Sequence, residues 1–406
     1  MNKKKIINDP IYGFINIFDD ILYDLIEHPF FQRLRHVKQL GLTHLVYPGA
    51  THNRFQHSLG SLYLMESAIN IIRSKGHMIS EEEAQAVKIA ILLHDIGHGP
   101  LSHSLESFWM EGKNNETISM RIMNFINQEY HHKLDLAITI YKNDYKKKFL
   151  HQLVSSQLDM DRLDYLRRDS FYTGVSEGVV GSDRIIKMLN VYEDQLVIEA
   201  KGIHSIEKFL IARWIMYWQV YFHKTVISAE QLLLRIMKRS MELIKKGVPL
   251  QASEPLAYFL YKKYQEDTHE NILRMYARLD DTDILVAFKS WAQCSDRVLS
   301  WLCQHMMERK LFKIELQDEP FDEGKVDAIK KKIQDALDIS YEDTDYFVIT
   351  NSVINKAYST VNDHIHILFK NQQIKDVADA SDMLSLPVLS KIVKKYFLCY
   401  PKENIT

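Results

Sequence analysis

The stretch Ala90-Ile-Leu-Leu-His-Asp-Ile-Gly-His-Gly-Pro-Leu-Ser-His103 places an imidazole and a carboxylate side by side at the end of an apolar run. A buried carboxylate without a partner is costly, and a cation is one of the few partners that can offset this cost. His94 and Asp95 therefore suggest two metal ligands in consecutive positions. The alternative is a helix end at which His94 hydrogen-bonds the last carbonyl groups and Gly97 terminates the helix.

Amphipathic helices are predicted on both sides of this stretch. Residues 53–75 carry one apolar face, and Gly76 is suited to end that helix. Ser80 and Glu83 have the spacing of a capping box and predict the start of the next helix. An inward stripe follows on that helix, formed by Ala84, Val87, Ile91 and His94. The stripe directs His94 towards the core.

Further helices are predicted downstream. Residues 148–169 are predicted as a third long helix, and residues 205–246 and 254–309 as further helical segments. On the third helix, carboxylates and a phenol interrupt the inward stripe, which consists of Val154, Leu158, Asp161, Tyr165 and Asp169. The inward face thus carries more acidic groups than stability alone explains.

The pattern changes after residue 309. Residues 310–316, 346–350 and 364–369 alternate as strands do, whereas residues 324–337 have helical spacing. The predicted fold class is mainly α, with a multi-helix domain over residues 1–240 and a helical extension over 241–309. A small C-terminal α+β appendage covers 310–406.

The composition and the N-terminal sequence limit the possible partners and location of the protein. The chain has 406 residues, 46% of them hydrophobic and 26% charged, and its net charge is −2, so nucleic acid is a possible partner but not an indicated one. The 3 cysteines have no metal-site spacing and suggest a reducing compartment. A basic N-terminus is followed by Asn8, Asp9 and Pro10 rather than an apolar run, and no stretch has membrane-spanning length. We therefore expect a cytoplasmic protein without a membrane partner.

Two further residues complete a possible metal set. His57 begins the first long helix, and Asp161 interrupts the third. Alone, His57 would more often be a capping or core residue. Together with His94 and Asp95, these residues supply two imidazoles and two carboxylates. Such a set suits one divalent ion of Mn, Fe, Ni or Mg rather than structural zinc, and leaves positions for water and phosphate oxygen.

The order His, His-Asp, Asp resembles the signature of the HD-domain phosphohydrolase superfamily. Four segments resemble more closely its deoxynucleoside triphosphate triphosphohydrolases, the dGTPase-like enzymes. These are Phe31-Gln-Arg-Leu-Arg-His-Val-Lys-Gln-Leu-Gly41, Tyr47-Pro-Gly-Ala-Thr-His-Asn-Arg-Phe-Gln-His57, the run from His94 to His103, and residues 157–169. The resemblance extends over about residues 9–240, which would form the HD domain.

The resemblance implies hydrolysis of a deoxynucleoside triphosphate to a deoxynucleoside and inorganic triphosphate. It assigns His57, His94, Asp95 and Asp161 to the metal, and His98, His103 and Glu116 to catalysis. For His98 and His103 the alternative is a tight turn that leaves both histidines merely exposed. For Glu116 the alternative is an ordinary glutamate at a helix N-terminus. The family usually has His before that glutamate, whereas this chain has Asn115.

Substrate contacts are also implied by the resemblance. Phosphate would be bound by Arg54, Arg162, Arg213 and Lys224. Arg213 and Lys224 align less clearly, and surface charges are the alternative for them. Deoxyribose would be recognised by Gln39, Leu40, Tyr165, Asp169 and Tyr221. A core tyrosine is the alternative for Tyr165.

Many relatives of this kind are homo-oligomers activated by nucleotides bound between subunits. Gln32 and Arg35 match part of that regulatory pattern, but Glu27 and Glu199 depart from it. We expect a dimer or tetramer whose activator, if it has one, is not the guanine type. Two other functions remain open, namely an HD phosphohydrolase acting on another nucleotide phosphoester and a nucleotide-binding regulatory protein.

Overall fold

The computed structural model describes residues 4–110, 113–355, 358, 364–381 and 393–402. Within them the chain is mainly helical, as predicted. The helices are α1 Asp20–Glu27, α2 Pro29–Gln32, α3 Arg54–Ser74, α4 Glu81–Leu93, α5 Ser102–Trp109, α6 Asn115–Glu129, α7 Asp135–Tyr141, α8 Lys148–Val154, α9 Met160–Thr173, α10 Ser182–Met188, α11 Ile203–Met216, α12 Lys224–Lys245, α13 Glu254–Leu260, α14 His269–Ala277, α15 Asp281–Trp291, α16 Arg297–Met307, α17 Glu323–Leu337 and α18 Val377–Ala380. No helix in these ranges is both long enough and apolar enough to cross a membrane.

Helices α3, α4 and α9 form the part of the core that carries the predicted metal ligands. Helix α3 packs against both α4 and α9. Capping boxes begin two of them, one formed by Asn53 with Gln56 and the other by Ser80 with Glu83. Gly76, which directly follows the C-cap of α3, has a φ of +90°, a value that favours glycine. The predicted start of each helix and the predicted end of α3 are therefore confirmed.

The prediction of one long helix over residues 148–169 is wrong. The chain forms α8 and α9, separated by an irregular segment, and the Asp159 side chain caps α9 by accepting a hydrogen bond from the Arg162 backbone N–H. Local capping wins here over the continuous apolar stripe. Residues 205–246 are likewise interrupted, because a π-helical turn over Tyr217–Tyr221 separates α11 from α12.

Small sheets complete the fold. Their strands are β1 Lys5–Asp9, β2 Gly13–Ile17, β3 Leu189–Tyr192, β4 Gln195–Glu199, β5 Lys313–Gln317, β6 Ile349–Asn355, β7 His366–Leu368, β8 Ile374–Asp376 and β9 Val393–Tyr400. A β1-β2 hairpin, a sheet of order β3-β4-β7-β8 and a sheet of order β5-β9-β6 result. The small α+β C-terminal region is confirmed, but β7 pairs in parallel with β4 of the N-terminal half.

All three predicted strands of this region need correction. The strand predicted over residues 310–316 begins at Lys313 and ends at Gln317. Residues 346–350 begin as the end of a 3-10 turn over Glu342–Tyr346, and the strand itself runs from Ile349 to Asn355. The strand predicted over residues 364–369 is shorter, His366–Leu368. The predicted helix over residues 324–337 is present as α17.

Candidate metal centre and adjoining cavity

Three of the four predicted metal ligands converge at one point of the core. His57 lies in the first turn of α3, His94 directly after α4, and Asp161 in the first turn of α9. One ligand atom from each residue lies within 4.8 Å of the other two. The Nε2 atom of His57 is 3.1 Å from Asp161 Oδ1 and 3.3 Å from His94 Nε2.

Asp95, the fourth predicted ligand, borders this cluster. Its Oδ2 is 3.6 Å from His57 Nε2, and its Oδ1 is 3.4 Å from His94 Nε2. The carboxylate also forms an ion pair with Arg54, whose side chain is buried. Asp95 can therefore contribute an oxygen to a cation while it holds an arginine beside the site.

Hydrogen bonds orient both imidazoles towards the cluster. His57 Nδ1 is 2.8 Å from Asp164 Oδ2, and His94 Nδ1 is 2.6 Å from the carbonyl oxygen of Ile91. Both contacts leave Nε2 directed at the cluster, as a hydrogen bond to the other ring nitrogen does for metal-binding histidines. His94 thus does contact a carbonyl at its helix end, and this contact is compatible with metal binding.

A buried ionic network behind His57 was not predicted from the sequence. Asp164 accepts hydrogen bonds from Arg168 Nε at 2.9 Å and Nη2 at 3.1 Å, and Arg168 Nη1 donates to Asp9 at 2.8 Å. A Cβ at Gly60 would lie 2.0 Å from Asp164 Oδ1, so glycine makes room for this network. The sequence feature that could have indicated this network is Asp164 itself, a further carboxylate of α9 between Asp161 and Asp169.

The electrostatics of the cluster suit a cation. Burial alone would lower the pKa of His57, but its hydrogen bonds to Asp161 and Asp164 raise it to about 10. For His94 the lowering effect of burial is likewise outweighed by Asp95 and Asp161. Burial would raise the pKa of Asp161, but the two histidines lower it by more. The pKa of this carboxyl group is therefore below its usual value. Positive charge is therefore favoured here, so the donor set fits a divalent cation that would replace the protons.

The segment after α4 is fixed from several sides. Arg33 donates to the carbonyl oxygens of Ile96 at 2.9 Å and His98 at 2.8 Å, and the Tyr276 hydroxyl donates to that of Gly97 at 2.8 Å. His98 Nε2 consequently lies 3.3 Å from Asp95 Oδ1. Burial and nearby Arg54 lower the pKa of His98, so its ring is neutral near pH 7.

The other predicted catalytic residues lie further along the chain. The backbone of His103 belongs to α5, but its side chain lies outside the described part of the structure. Glu116 is exposed in the first turn of α6, and its charge acts on the Tyr141 hydroxyl together with those of Asp95 and Asp161. Asn115 is buried, and its Oδ1 has no hydrogen-bond partner among the described residues.

Three of the predicted phosphate-binding cations lie near the cluster. Arg162 pairs with Asp159, and Arg54 pairs with Asp95. Arg213 is buried rather than a surface charge, and its Nε and Nη1 have no hydrogen-bond partner in the described ranges. Both Arg162 and Arg213 act on the Tyr165 hydroxyl. Lys224 is exposed at the start of α12, and no described contact joins it to these residues.

All five predicted deoxyribose residues line one cavity of about 400 Å³. They are Gln39, Leu40, Tyr165, Asp169 and Tyr221. Tyr165 connects this cavity to the cluster of candidate metal ligands, because its ring centroid lies 6.5 Å from that of His57. Gln39 is buried, and its Oε1 has no hydrogen-bond partner among the described side chains and backbone.

A second unpredicted residue, His52, supports this cavity. Its Nε2 is 2.7 Å from Asp169 Oδ1, and the Tyr221 hydroxyl donates to Asp169 Oδ2 at 2.8 Å. The His52 ring also stacks on Tyr172. Asp169 is therefore fixed by both neighbours, and each oxygen retains an acceptor position for a ligand hydroxyl.

Contacts at the regulatory positions are mostly local. Gln32 donates to the Ile26 carbonyl oxygen, and Arg35 donates to Gln32 Oε1 at 2.8 Å. Glu27 pairs with Lys5, while Glu199 lies 2.7 Å from Lys75. These pairs occupy the two residues that depart from the guanine-type pattern.

Comparisons with known proteins agree with this arrangement. Residues 54–169 match the HD domain model, and residues 180–252 match the HD associated region. The uncharacterized protein YwfO of Bacillus subtilis is 31% identical, over 100% of this chain and 94% of its own length. The human deoxynucleoside triphosphate triphosphohydrolase SAMHD1 is 25% identical, over 98% of this chain and 70% of that protein.

A solved structure has a fold similar to that of this chain. The phosphohydrolase of Bacteroides thetaiotaomicron VPI-5482 superposes with a TM-score of 0.94 at 51% identity, covering 98% of this chain and 100% of that one. The matched HD model begins at Arg54 and ends at Asp169, and so contains the whole histidine and aspartate cluster. The chain therefore belongs to the HD-domain phosphohydrolases.

Proposed function

We propose that this protein hydrolyses deoxynucleoside triphosphates to a deoxynucleoside and inorganic triphosphate, with one bound divalent cation. The observation that carries the proposal is the position of Tyr165, which joins the cluster of His57, His94 and Asp161 to a cavity lined by Asp169 and other sugar-binding candidates. Phosphate chemistry and deoxynucleoside recognition would thus be adjacent. The similarity to the triphosphohydrolase SAMHD1 supports the same substrate class.

The cation would be held by His57, His94 and Asp161, with Asp95 as a fourth donor. When bound, a cation of this kind supplies Lewis acidity and neutralises phosphate charge. Mixed imidazole and carboxylate donors favour Mn, Fe, Ni or Mg. The His57–Asp164 and His94–Ile91 hydrogen bonds hold the donors in position.

Arginine residues would bind the triphosphate. Arg213 is the strongest candidate, because its buried guanidinium has two nitrogens, Nε and Nη1, without a partner among the described residues and so calls for an anionic ligand. Arg54 and Arg162 flank the cluster through their pairs with Asp95 and Asp159. Lys224 remains a weaker candidate at the exposed start of α12.

The reaction breaks the bond between the α-phosphorus and the 5′-oxygen. Water supplies the oxygen added to phosphorus, and the departing 5′-oxygen gains a proton. Neutral His98 can donate a hydrogen bond to the α-phosphate beside Asp95. His103 is our candidate for proton donation, and Glu116 for orientation of His98 or of the attacking water.

The cavity would select deoxyribose. Asp169 and the unpartnered Gln39 Oε1 can accept hydrogen bonds from the 3′-hydroxyl. Leu40 and Tyr221 line the same cavity and would exclude a 2′-hydroxyl. His52 keeps the Asp169 carboxylate in place.

The direct test is product analysis. The purified protein is incubated with Mn²⁺, Fe²⁺, Ni²⁺ or Mg²⁺ and each deoxynucleoside triphosphate, and anion-exchange chromatography separates triphosphate, pyrophosphate and phosphate. We expect equal amounts of deoxynucleoside and triphosphate, no deoxynucleoside monophosphate, and little cleavage of ribonucleotides. Release of pyrophosphate or phosphate would instead indicate another phosphoesterase, and intact nucleotides with every metal would indicate a binding protein.

Assembly and localisation belong to the same proposal. A dimer or tetramer is expected from the resemblance to the dGTPase-like family, many members of which are activated by nucleotides bound between subunits. Sedimentation velocity with and without nucleotides would measure the assembly state. Fractionation of cells would test the expected cytoplasmic location.

A further inference from the structure

The cavity beside the candidate metal ligands is lined by a carboxyl group that the proposed reaction does not use. Glu230 lies in α12 and lines the cavity together with Leu101, Ser104 and Val226. Val226 precedes Glu230 by one helical turn, so both face the same side of α12. Glu230 is half-buried and belongs to the lining of the cavity.

Among the described residues, the Glu230 carboxyl group has few partners. The Ser104 side chain lies near enough to lower its pKa, against the larger raising effect of burial. No lysine or arginine among the described residues forms an ion pair with Glu230. A carboxyl group offers about four acceptor positions, so most of them are open to a ligand. Fold stability does not explain a carboxyl group here, because burial without further partners is costly.

Glu230 is separate from the sugar-binding candidates of the same cavity. Asp169 interacts with His52 and Tyr221, whereas the polar neighbour of Glu230 is Ser104. Burial raises the pKa of Glu230 to about 7, and its carbonyl oxygen accepts hydrogen bonds in either protonation state. The cavity lining therefore includes two separate carboxyl groups, and apolar side chains such as Leu40 and Phe222 form another part of its wall.

We propose that Glu230 is a specificity-determining residue that accepts a hydrogen bond from the exocyclic amino group of the base. This inference rests on the proposed function, in which Asp169 binds the sugar and the base extends into the rest of the cavity. Adenine, cytosine and guanine carry such an amino group, whereas thymine carries carbonyl oxygens that also act as acceptors. A site that pairs a polar group discriminates strongly against an analogue that leaves the group unpaired. We expect the amino-bearing substrates to be favoured over dTTP by about tenfold.

The test uses an equimolar mixture of the four deoxynucleoside triphosphates and the full-length protein with Mn²⁺. Relative kcat/KM values come from the four deoxynucleosides released in one reaction, so a reduced folded fraction cancels. In Glu230→Leu we expect the preference over dTTP to fall towards unity. Glu230→Gln retains a carbonyl acceptor and should keep most of the preference. Val226→Ala enlarges the cavity without removing a polar group and should affect the four substrates alike.

An unchanged substrate ratio in Glu230→Leu would overturn the inference, as would a wild-type protein that cleaves dTTP as well as the other three. If the wild type cleaves none of the four, the proposed function fails separately. Calorimetric binding of deoxyadenosine, deoxycytidine, deoxyguanosine and thymidine then decides the role of Glu230. Tighter binding of the amino-bearing nucleosides that is lost in Glu230→Leu would support it, and equal binding of all four would refute it.

Discussion

Replacement of Asp164 by Asn removes a negative charge beside His57, and the side-chain volume hardly changes. Asp164 is fully buried, and its Oδ2 accepts hydrogen bonds from His57 Nδ1 at 2.8 Å and Arg168 Nε at 2.9 Å. An amide oxygen can still accept one of these bonds, but the negative charge is lost. The His57 ring then becomes a weaker and less firmly oriented donor.

The structure allows two magnitudes to be estimated. Loss of the hydrogen-bond partner that orients a metal-binding histidine lowers metal affinity by about 10- to 100-fold. Removal of one partner from a buried ion pair costs about 3–5 kcal/mol. Asp9 remains 2.8 Å from Arg168 Nη1 and still compensates its charge. We therefore expect Asp164→Asn to lose stability near the lower end of this range, about 3 kcal/mol.

The matched control is Asp9→Asn. Asp9 pairs with the same Arg168, but it does not contact His57. Mn²⁺ affinity is measured by calorimetry, and the free energy of unfolding of the metal-free protein by urea denaturation. Both variants should be destabilised, but only Asp164→Asn should bind Mn²⁺ more weakly. Equal Mn²⁺ affinity in Asp164→Asn and the wild type would refute the orienting role of Asp164.

Three further predictions concern other parts of the site. Asp161→Ala should abolish stoichiometric Mn²⁺ binding in elemental analysis because it removes a ligand oxygen, and full retention of the ion would contradict the site. Tyr276→Phe removes the hydrogen bond to the Gly97 carbonyl oxygen and should lower the free energy of unfolding by about 1 kcal/mol in urea. The pKa of Glu230 is raised from 4.5 to about 7, so its contribution to stability is present below pH 4.5 and lost as the pH rises through 7. Relative to Glu230→Gln, the wild type should therefore lose about 2 kcal/mol between pH 5 and pH 8 in urea titrations, and parallel curves would contradict the burial of this carboxyl group.

Local patterns predicted much of the fold around the metal centre. The capping boxes at Asn53 and Ser80 are short-range hydrogen-bond arrangements, so their residues could be recognised directly. The break before α9 could not be recognised in this way, because an apolar stripe continues across it. Only the cap formed by Asp159 distinguishes two helices from one.

The candidate site was predicted unevenly for a similar reason. The ligand residues follow a motif that is readable along the chain, and the described structure brings His57, His94 and Asp161 together. Asp164 and His52 act through contacts with residues more than a hundred positions away, namely His57 and Asp169. Glu230 was missed because nothing in its own helix separates it from an ordinary exposed glutamate.

Linear order was sufficient to identify the mainly helical class, the histidine and aspartate set and the expected metal dependence, because these depend on residue type, spacing and local hydrogen bonding. Packing of α3, α4 and α9 decided which imidazole nitrogen faces the cluster and which buried ion pair supports it. The cavity shared by Tyr165, Asp169 and Glu230 also arises only where distant segments meet. Burial and charge balance are properties of that three-dimensional contact, and for this reason they cannot be read from neighbouring residues alone.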